Sequence, residues 1–304
     1  MNPCVCSNTQ RFLLYNRCMS QRRKKAVRRR GKYRLKPQAR FALIGLVLLI
    51  GCIMIIGSII QLVGNRHNYD ITLKDAVEIL PISFLDISKL QGEEMKSYED
   101  DLYTSTLGVD VSMHQKSINW EKVKESGITF AYIRCGYRGY QGGVLHEDPT
   151  FKENISGAKA AGLKVGVYFF SQATTVEEAI DEAYFTQKLI KDYALDLPVV
   201  YDLEDIDYDV SRIQKTSNEQ RTNHALAFCA KMEEFGYQPM IYANIYWLNS
   251  IYDINRIMNY PLWIADYDNI PSFEYEFKIW QYSETASING IEEPVDLNLM
   301  LIKK

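Results

Sequence analysis

The chain has 304 residues, which is enough for one large domain or two small ones. It carries 35 basic and 38 acidic side chains, so the formal net charge is only −3. The six cysteines are too scattered for a disulfide framework, and the four histidines form no ligand cluster, so neither a metal nor another cofactor is predicted.

The small net charge conceals an asymmetric distribution along the chain. The first 40 residues hold 13 lysines and arginines and no acid, and residues 41–65 hold no charged side chain. The rest of the chain therefore has 22 basic and 38 acidic side chains, a net charge of −16. Charged parts of opposite sign on the two sides of an apolar stretch are typical of a membrane topology.

Residues 41–63 are predicted to form a transmembrane helix that contacts the lipid bilayer. At about 1.5 Å per residue, an apolar stretch of roughly 20 residues spans the hydrocarbon core of about 30 Å. A cleavable signal peptide is the alternative, but the basic head is too long, and no small-residue cleavage signal follows. The basic residues 1–40 are expected to stay cytoplasmic, which makes this a single-pass type II protein of the cell membrane with an extracellular C-terminal domain. Nucleic-acid binding is the weaker interpretation of the basic head, and no nucleic-acid partner is predicted.

Residues 64–106, called the connector below, are rich in acids and are interrupted by Pro81. They are predicted to form a partly ordered, self-repelling extracellular stalk rather than a small domain of their own. The extracellular domain proper is expected at residues 107–304.

Strands and helices alternate in this domain. Helices are predicted at about residues 119–125, 148–162, 175–193 and 218–236, each with a cap or a glycine stop. The predicted strands are Val109–Ser112, Phe130–Gly136, Lys164–Phe170, Val199–Glu204, Met240–Ala243, Leu262–Tyr267, Phe277–Ser283 and Val295–Leu299. The alternation indicates parallel strands with right-handed crossovers, and the last three strands follow with little helix between them. An α/β fold is predicted, a modified TIM-like barrel of the order (β/α)5(β)3.

Four acids lie in or at the end of predicted strands: Asp110, Asp202, Glu204 and Asp296. Active sites of such barrels gather at the carboxyl-terminal ends of the strands. Asp202 and Glu204 share one face of a strand, about 6.6 Å apart along the backbone. A glycosidase places a general acid beside an anionic partner in this way, although a single acid at a strand end is more often a cap or turn residue.

Several separated segments together resemble a known family. They are Gly108–Gln115, Ile118–Trp120, Ile133–Tyr137, Gly166–Ser171, Pro198–Glu204, Ile241–Tyr242, Leu262–Ala265, Ile279–Ser283 and Val295–Asn298. In this order and at these intervals the chain resembles glycoside hydrolase family 25, the N-acetylmuramidases or lysozymes of the Chalaropsis type. The resemblance covers about residues 107–301.

The resemblance implies a hydrolase of peptidoglycan glycan strands, cutting the β-1,4 bond between N-acetylmuramic acid and N-acetylglucosamine, and the predicted helix at residues 41–63 would anchor it in the membrane. It casts Glu204 as the general acid and Asp202 as the residue that stabilises the intermediate or activates water, with Asp110 and Asp296 in the catalytic floor. Crowding and burial are expected to keep Glu204 protonated while Asp202 stays ionised.

Other side chains are expected around these acids. Gln115, Arg134 and Gln281 match family positions near the site. Five aromatic residues end or follow predicted strands and are expected either to line a glycan groove or to pack in the core: Tyr137, Tyr168, Tyr242, Trp263 and Tyr282.

The spacing of the acids leaves the chemistry open between direct attack, water activation and assistance by the 2-acetamido group of the substrate. A non-catalytic cell-wall-binding or scaffold protein that retains the barrel is the main alternative from another class. A third interpretation keeps an enzyme but changes its substrate to chitin or another acetamido glycan. Protein partners are left unknown by the sequence.

Overall fold

The computed structural model describes Leu46, Ile50, Gly51 and residues 67–81, 84–205 and 211–304. The predicted cytoplasmic head lies outside the described residues, as does the predicted transmembrane helix apart from the first three residues named, which are helical. Within the described part of the chain we find no helix with the length and hydropathy of a membrane span. The chain divides into two units, Met1–Arg66 and His67–Lys304, and the second one carries the fold.

The second unit combines strands and helices in chain order. Its described strands are β1 (Leu90–Gln91), β2 (Ser97–Tyr98), β3 (Tyr103–Val111), β4 (Phe130–Arg138), β5 (Leu145–Glu147), β6 (Lys164–Ser171), β7 (Val199–Leu203), β8 (Pro239–Asn244), β9 (Leu262–Ala265), β10 (Ile279–Ala286) and β11 (Val295–Lys303). Its described α-helices are α1 (Trp120–Glu125), α2 (Phe151–Ala160), α3 (Val176–Ile190), α4 (Asn218–Glu234), α5 (Ile245–Ser250) and α6 (Ile254–Ile257). Three 3₁₀ turns complete the set, at Ile87–Lys89, Met113–Gln115 and Arg212–Lys215.

Eight of these strands close into a barrel in the order β3-β4-β6-β7-β8-β9-β10-β11, with β11 returning to β3. Neighbours from β3 round to β10 are parallel, whereas β11 is antiparallel to both β10 and β3. The eight-stranded barrel is therefore confirmed, although short helices α5 and α6, which were not predicted, follow β8. β5 pairs with β4 outside the closed ring.

The barrel interior is filled by large side chains, which alternate along each strand with residues that face the helices. The rings of Tyr132 and Trp263 lie 4.7 Å apart between centroids. Gly108 makes room for the ring of Phe130 and Gly166 for that of Tyr132, since a Cβ on Gly108 would lie 2.2 Å from Phe130 and a Cβ on Gly166 would lie 2.3 Å from Tyr132. Glycine is thus required where a ring from the next strand crosses the backbone.

Side-chain caps and a glycine with positive φ mark the ends of several helices. Asn119 and Thr175 cap α1 and α3 through their side chains, and Gly236 ends the turn after α4 with a positive φ of 85°. Thr175 and Glu178 form only half of a capping box on α3, because the Glu178 carboxylate accepts a hydrogen bond from the Thr174 backbone instead of the cap residue. Ser217 and Gln220 form a complete box on α4 that was not predicted.

The described part of the connector packs on the folded domain, whereas a self-repelling stalk was expected. Its first part contacts helices, as in the hydrogen bond from Lys74 to Glu233 of α4. Its second part contacts β10 and the residues just before it, with Lys96 at the Trp280 ring and Phe84 at the Phe277 ring. Tyr98 is 2% exposed there and belongs to the main hydrophobic core. The Lys96 ammonium lies 5.7 Å from the centre of the Tyr282 ring, and the Tyr282 hydroxyl donates to the Glu94 carbonyl over 3.0 Å. The predicted boundary at residue 106 falls within β3.

This packing predicts a stability effect. We expect Tyr98→Ala to lower the free energy of unfolding by about 3 kcal/mol, because it empties a ring-sized space in the core. Leu102→Ala in the same connector should change it by less than about 0.5 kcal/mol, since Leu102 is 60% exposed. Urea unfolding of residues 67–304 measures both. Equal effects of the two substitutions would mean that the connector is not part of the folded unit.

Candidate active site

A cavity of about 310 Å³ opens at the carboxyl-terminal ends of the parallel barrel strands. Most of the residues predicted for the site line it: Asp110, Gln115, Arg134, Tyr168, Asp202, Glu204, Tyr242, Trp263, Gln281 and Asp296. The fold thus brings together side chains that are up to 186 positions apart in the sequence, from Asp110 to Asp296. Their convergence makes this cavity the candidate active site.

Asp202 and Glu204 stand at the end of β7, a strand whose five residues are all buried. Asp202 is 5% exposed, and its side chain shares a hydrogen bond with that of Glu204. Its Oδ1 atom is buried and has no hydrogen-bond partner among the described residues. A buried acceptor without a partner is costly, so this oxygen is suited to a donor supplied by a ligand.

The pKa of Asp202 differs in direction from the prediction. Burial raises the pKa of Asp202 well above its ordinary value, and the charge and hydrogen bond of Glu204 raise it further. This direction favours the neutral form of Asp202 in the site without substrate, whereas an ionised Asp202 was expected. The reason is that Asp202 belongs to the strand and is enclosed on all sides, while Glu204 follows the last strand residue.

Asp110 and Asp296 form the second carboxyl pair, and they are opposite each other on the antiparallel strands β3 and β11. Burial raises the pKa of Asp296 to about 10, and the charge of Asp110 adds to the effect. Burial also raises the pKa of Asp110, while hydrogen bonds from Asn298, Gln281 and Asp296 act in the opposite direction. Asp296 is thus a neutral donor at neutral pH, and Asp110 is the acceptor.

Two side-chain amides donate hydrogen bonds to the Asp110 carboxylate. The Asp110 Oδ2 atom accepts from Gln281 Nε2 over 2.9 Å and from Asn298 Nδ2 over 2.7 Å. The amide of Gln281 is oriented by Tyr242 and Tyr267, whose hydroxyls both donate to its Oε1 atom over 2.9 Å. The Asn298 oxygen likewise accepts from the indole of Trp263 over 2.8 Å. These aromatic donors direct both amide nitrogens at one carboxylate.

Arg134 supplies a positive charge to the cavity wall. Its Nε atom lies 2.8 Å from the buried carboxylate of Asp148, which also accepts from the Met113 backbone. The amide of Gln115 donates to the Pro294 carbonyl over 3.0 Å and so joins the loop after β3 to the loop before β11. Both residues thus fix loops around the acids as well as lining the cavity.

Two predicted residues lie outside the cavity lining. Tyr282 follows Gln281 directly, and because neighbours in a strand point to opposite faces it packs outward against the connector. Tyr137 stacks on His146 of β5 with ring centres 5.1 Å apart. The fold therefore does not bring these two rings, which were predicted to bind substrate, into the lining of the cavity.

Other lining residues were not predicted, namely Ser112, His114, Phe170, Tyr267 and Glu284. Asn298 was also missed as a site residue, although it stands two positions after Asp296 on the same strand and the alternation rule would have placed it beside the acids. Tyr267 and Glu284 gave no such signal, because their place depends on how the loop after β9 and the end of β10 fold over the cavity.

The raised pKa of Asp296 predicts the pH dependence of stability. An acid whose pKa is higher in the folded than in the unfolded chain stabilises the fold at low pH, and this contribution is lost as the pH rises towards about 10. We expect Asp296→Asn, which mimics the neutral acid, to flatten the fall in unfolding free energy between pH 5 and 9 by up to about 1.4 kcal/mol per pH unit. Urea unfolding at several pH values measures this, with exposed Glu125→Gln as the control. Parallel curves for wild type and Asp296→Asn would contradict the assignment.

Comparison with known proteins identifies the family. Residues 109–291 match the profile of glycosyl hydrolases family 25. The autolytic lysozyme of Clostridium acetobutylicum is 31% identical over 199 residues, which cover 63% of this chain and 54% of that protein. Lysozyme M1 of Streptomyces globisporus is 28% identical over 203 residues, which cover 63% of this chain and 66% of that protein. The chain thus spans between half and two thirds of the length of these relatives.

Solved structures show the same barrel. The autolysin LytC of Streptococcus pneumoniae, in complex with a synthetic peptidoglycan ligand, matches with a TM-score of 0.58 and 25% identity, covering 65% of this chain and 47% of that one. The bacterial lysozyme of Streptomyces coelicolor matches with a TM-score of 0.54 and 27% identity, covering 64% of this chain and 90% of that one. With more than half of its residues in the family match, the chain belongs to glycosyl hydrolase family 25.

Proposed function

We propose that this protein is a peptidoglycan hydrolase, an N-acetylmuramidase that cleaves the β-1,4 bond between N-acetylmuramic acid and N-acetylglucosamine. The observation that carries the proposal is the convergence of Asp110, Asp202, Glu204 and Asp296 on one cavity at the open end of a family 25 barrel. Two curated relatives named as lysozymes and the LytC structure with its peptidoglycan ligand support this substrate class.

Glu204 is the general acid in this proposal. The glycosidic oxygen must receive a proton as the bond breaks, and a carboxylic acid at the cavity wall supplies it. The raised pKa of Asp202 favours its neutral form before substrate binds, so in this proposal Asp202 gives up its proton and Glu204 is protonated when the substrate is bound. The hydrogen bond between the two side chains offers the path.

Substrate binding itself provides the reason for this shift. The Asp202 Oδ1 atom is an acceptor without a partner in the described structure, and the 2-acetamido group of the sugar carries an N–H donor. A hydrogen bond to the ionised form of a carboxyl lowers its pKa. A bound acetamide therefore favours ionised Asp202 and protonated Glu204, and Asp202 then stabilises the positive charge that develops on the acetamide as it assists the reaction.

Asp110 and Asp296 serve as the floor of the site. The neutral Asp296 and the two amides stabilise negative charge on Asp110, so this pair carries one charge rather than two. The cavity then balances the positive charge of Arg134 and of the oxocarbenium-like transition state without two adjacent ionised acids.

We further propose that residues 41–63 anchor the protein in the cell membrane, with residues 1–40 in the cytoplasm and the barrel outside. The uncharged stretch of residues 41–65 and the opposite charges on its two sides support this topology. The anchor would keep the enzyme beside newly made wall.

The role of Glu204 predicts the effect of its replacement. We expect Glu204→Gln to lower kcat by about 10²–10⁴-fold, the usual contribution of a general acid. Purified peptidoglycan is digested, the products are reduced with borohydride, and new muramitol ends are identified by mass spectrometry. Glu125→Gln, an exposed glutamate on α1, is the control and should retain full activity.

The same assay separates the alternatives. Glucosaminitol ends would keep the enzyme and overturn the bond assignment, and cleavage of chitin alone would change the substrate. Peptidoglycan binding without any new reducing ends would support the scaffold interpretation.

The topology has its own measurement. We expect protease added to intact protoplasts to remove a C-terminal epitope tag and to spare an N-terminal one, since only the barrel is outside. An alkaline carbonate wash should leave the full-length protein in the membrane fraction. Release by that wash, or an N-terminal tag that the protease digests, would contradict the anchor.

A further inference from the structure

We propose that Gln172 is a positioning residue for Glu204, an inference that rests on the proposed function of that carboxyl group. Gln172 is fully buried and does not line the cavity, so it has no contact with substrate in this assignment. Its side chain instead contacts the backbone that carries the general acid.

Glu204 stands beyond the support of the sheet. The last pair between β6 and β7 joins Ser171 and Leu203, and the last pair between β7 and β8 joins Asp202 and Tyr242. Glu204 thus follows the last paired residue of β7 and is not itself a member of a strand pair. A catalytic carboxyl group in this position needs another contact to set its distance from the bond that it protonates.

Gln172 provides that contact. Its Nε2 atom donates to the Glu204 carbonyl over 2.9 Å, and its Oε1 atom accepts from the Ser211 hydroxyl over 2.5 Å. One amide thus binds the chain at Glu204 and again at Ser211, which is itself 2% exposed. Because donor and acceptor ends of an amide differ, the two contacts also fix the orientation of the Gln172 side chain.

The backbone of Gln172 is in turn fixed by a buried ionic network. The adjacent Ser171 hydroxyl donates to Glu182 over 2.6 Å, and Arg138 at the end of β4 donates to the same carboxylate over 2.6 Å. The Arg212 guanidinium donates to the Gln172 carbonyl over 3.4 Å. Gln172 therefore transmits the rigidity of the strand ends and of α3 to the backbone of Glu204.

The expected effect is on catalysis more than on stability. One neutral hydrogen bond contributes only about 1 kcal/mol to folding, whereas misplacing a catalytic group by about 1 Å costs about 10²-fold in rate. Gln172→Met removes both contacts at similar length, and Gln172→Glu keeps an acceptor for Ser211 but loses the donor to Glu204. Thr222→Val on α4 is the matched control, because it removes a buried hydroxyl that donates to the Asn218 carbonyl and does not line the cavity.

The experiment uses the full-length chain in detergent and measures kcat, KM, the pH–rate profile and Tm on purified peptidoglycan. We expect both Gln172 variants to lose about 10–100-fold in kcat with KM within about twofold, and to shift the pH–rate profile, while Thr222→Val keeps wild-type kinetics at a comparable Tm. Wild-type kcat in Gln172→Met, or a kcat loss in Thr222→Val that follows its Tm in the same way, would overturn the inference.

A second readout separates this inference from the proposed function. Carbon-13 NMR of the Asp202 and Glu204 carboxyl groups reports their titration without any substrate. A titration shifted in Gln172→Met and unchanged in Thr222→Val would support the positioning role even if the wild type released no muramitol. Unchanged titration in both variants would overturn the role, while loss of activity in the wild type would overturn only the proposed function.

Discussion

The site depends on how β11 closes the barrel. This strand runs antiparallel between β10 and β3, so its first residues lie at the same edge as the last residues of the parallel strands. Asp296 thereby comes opposite Asp110, and Asn298 reaches the same carboxylate from the next inward position. A parallel strand at this place would carry both residues to the other end of the barrel, away from Asp110.

Four carboxyl groups in one buried cavity cannot all be ionised, because desolvation and mutual repulsion both oppose it. The acids differ in the hydrogen-bond donors that the structure provides for them. Asp110 receives two amide donors whose orientation is set by Tyr242, Tyr267 and Trp263, while Asp202 keeps an acceptor without a partner. The aromatic residues therefore do more than fill the core. Their polar groups orient the amides that stabilise negative charge on Asp110, whereas Asp202 keeps an acceptor that a substrate group can bind.

The sequence predicted the barrel well, because its buried strands are short apolar runs bounded by glycine, proline or polar residues, and the caps of α1 and α3 are local signals. The four acids were found for the same reason, as polar residues ending apolar runs. The raised pKa of Asp202 was not predictable, since it depends on enclosure by strands distant in sequence. The packing of the connector was not predicted, because its charge suggested repulsion, whereas the apolar side chains that pack on the folded domain, such as Tyr98, are single residues spread among acids.

Tyr282 was predicted among the site residues, although strand alternation next to Gln281 already indicated that its side chain points to the opposite face.

The packed connector also has a mechanical consequence. A free tether of some 40 residues could extend by about 140 Å under load, at about 3.5 Å per residue. Tension from the N-terminal side of this unit would first meet His67, which stacks on Tyr184 at 3.8 Å between ring centres, and Tyr69, whose hydroxyl donates to Asp181 of α3. The next resistance is the ion pair of Lys74 with Glu233 on α4, at 2.8 Å. Under tension these contacts would therefore break one after another. The connector would lengthen only by the segment that each broken contact releases.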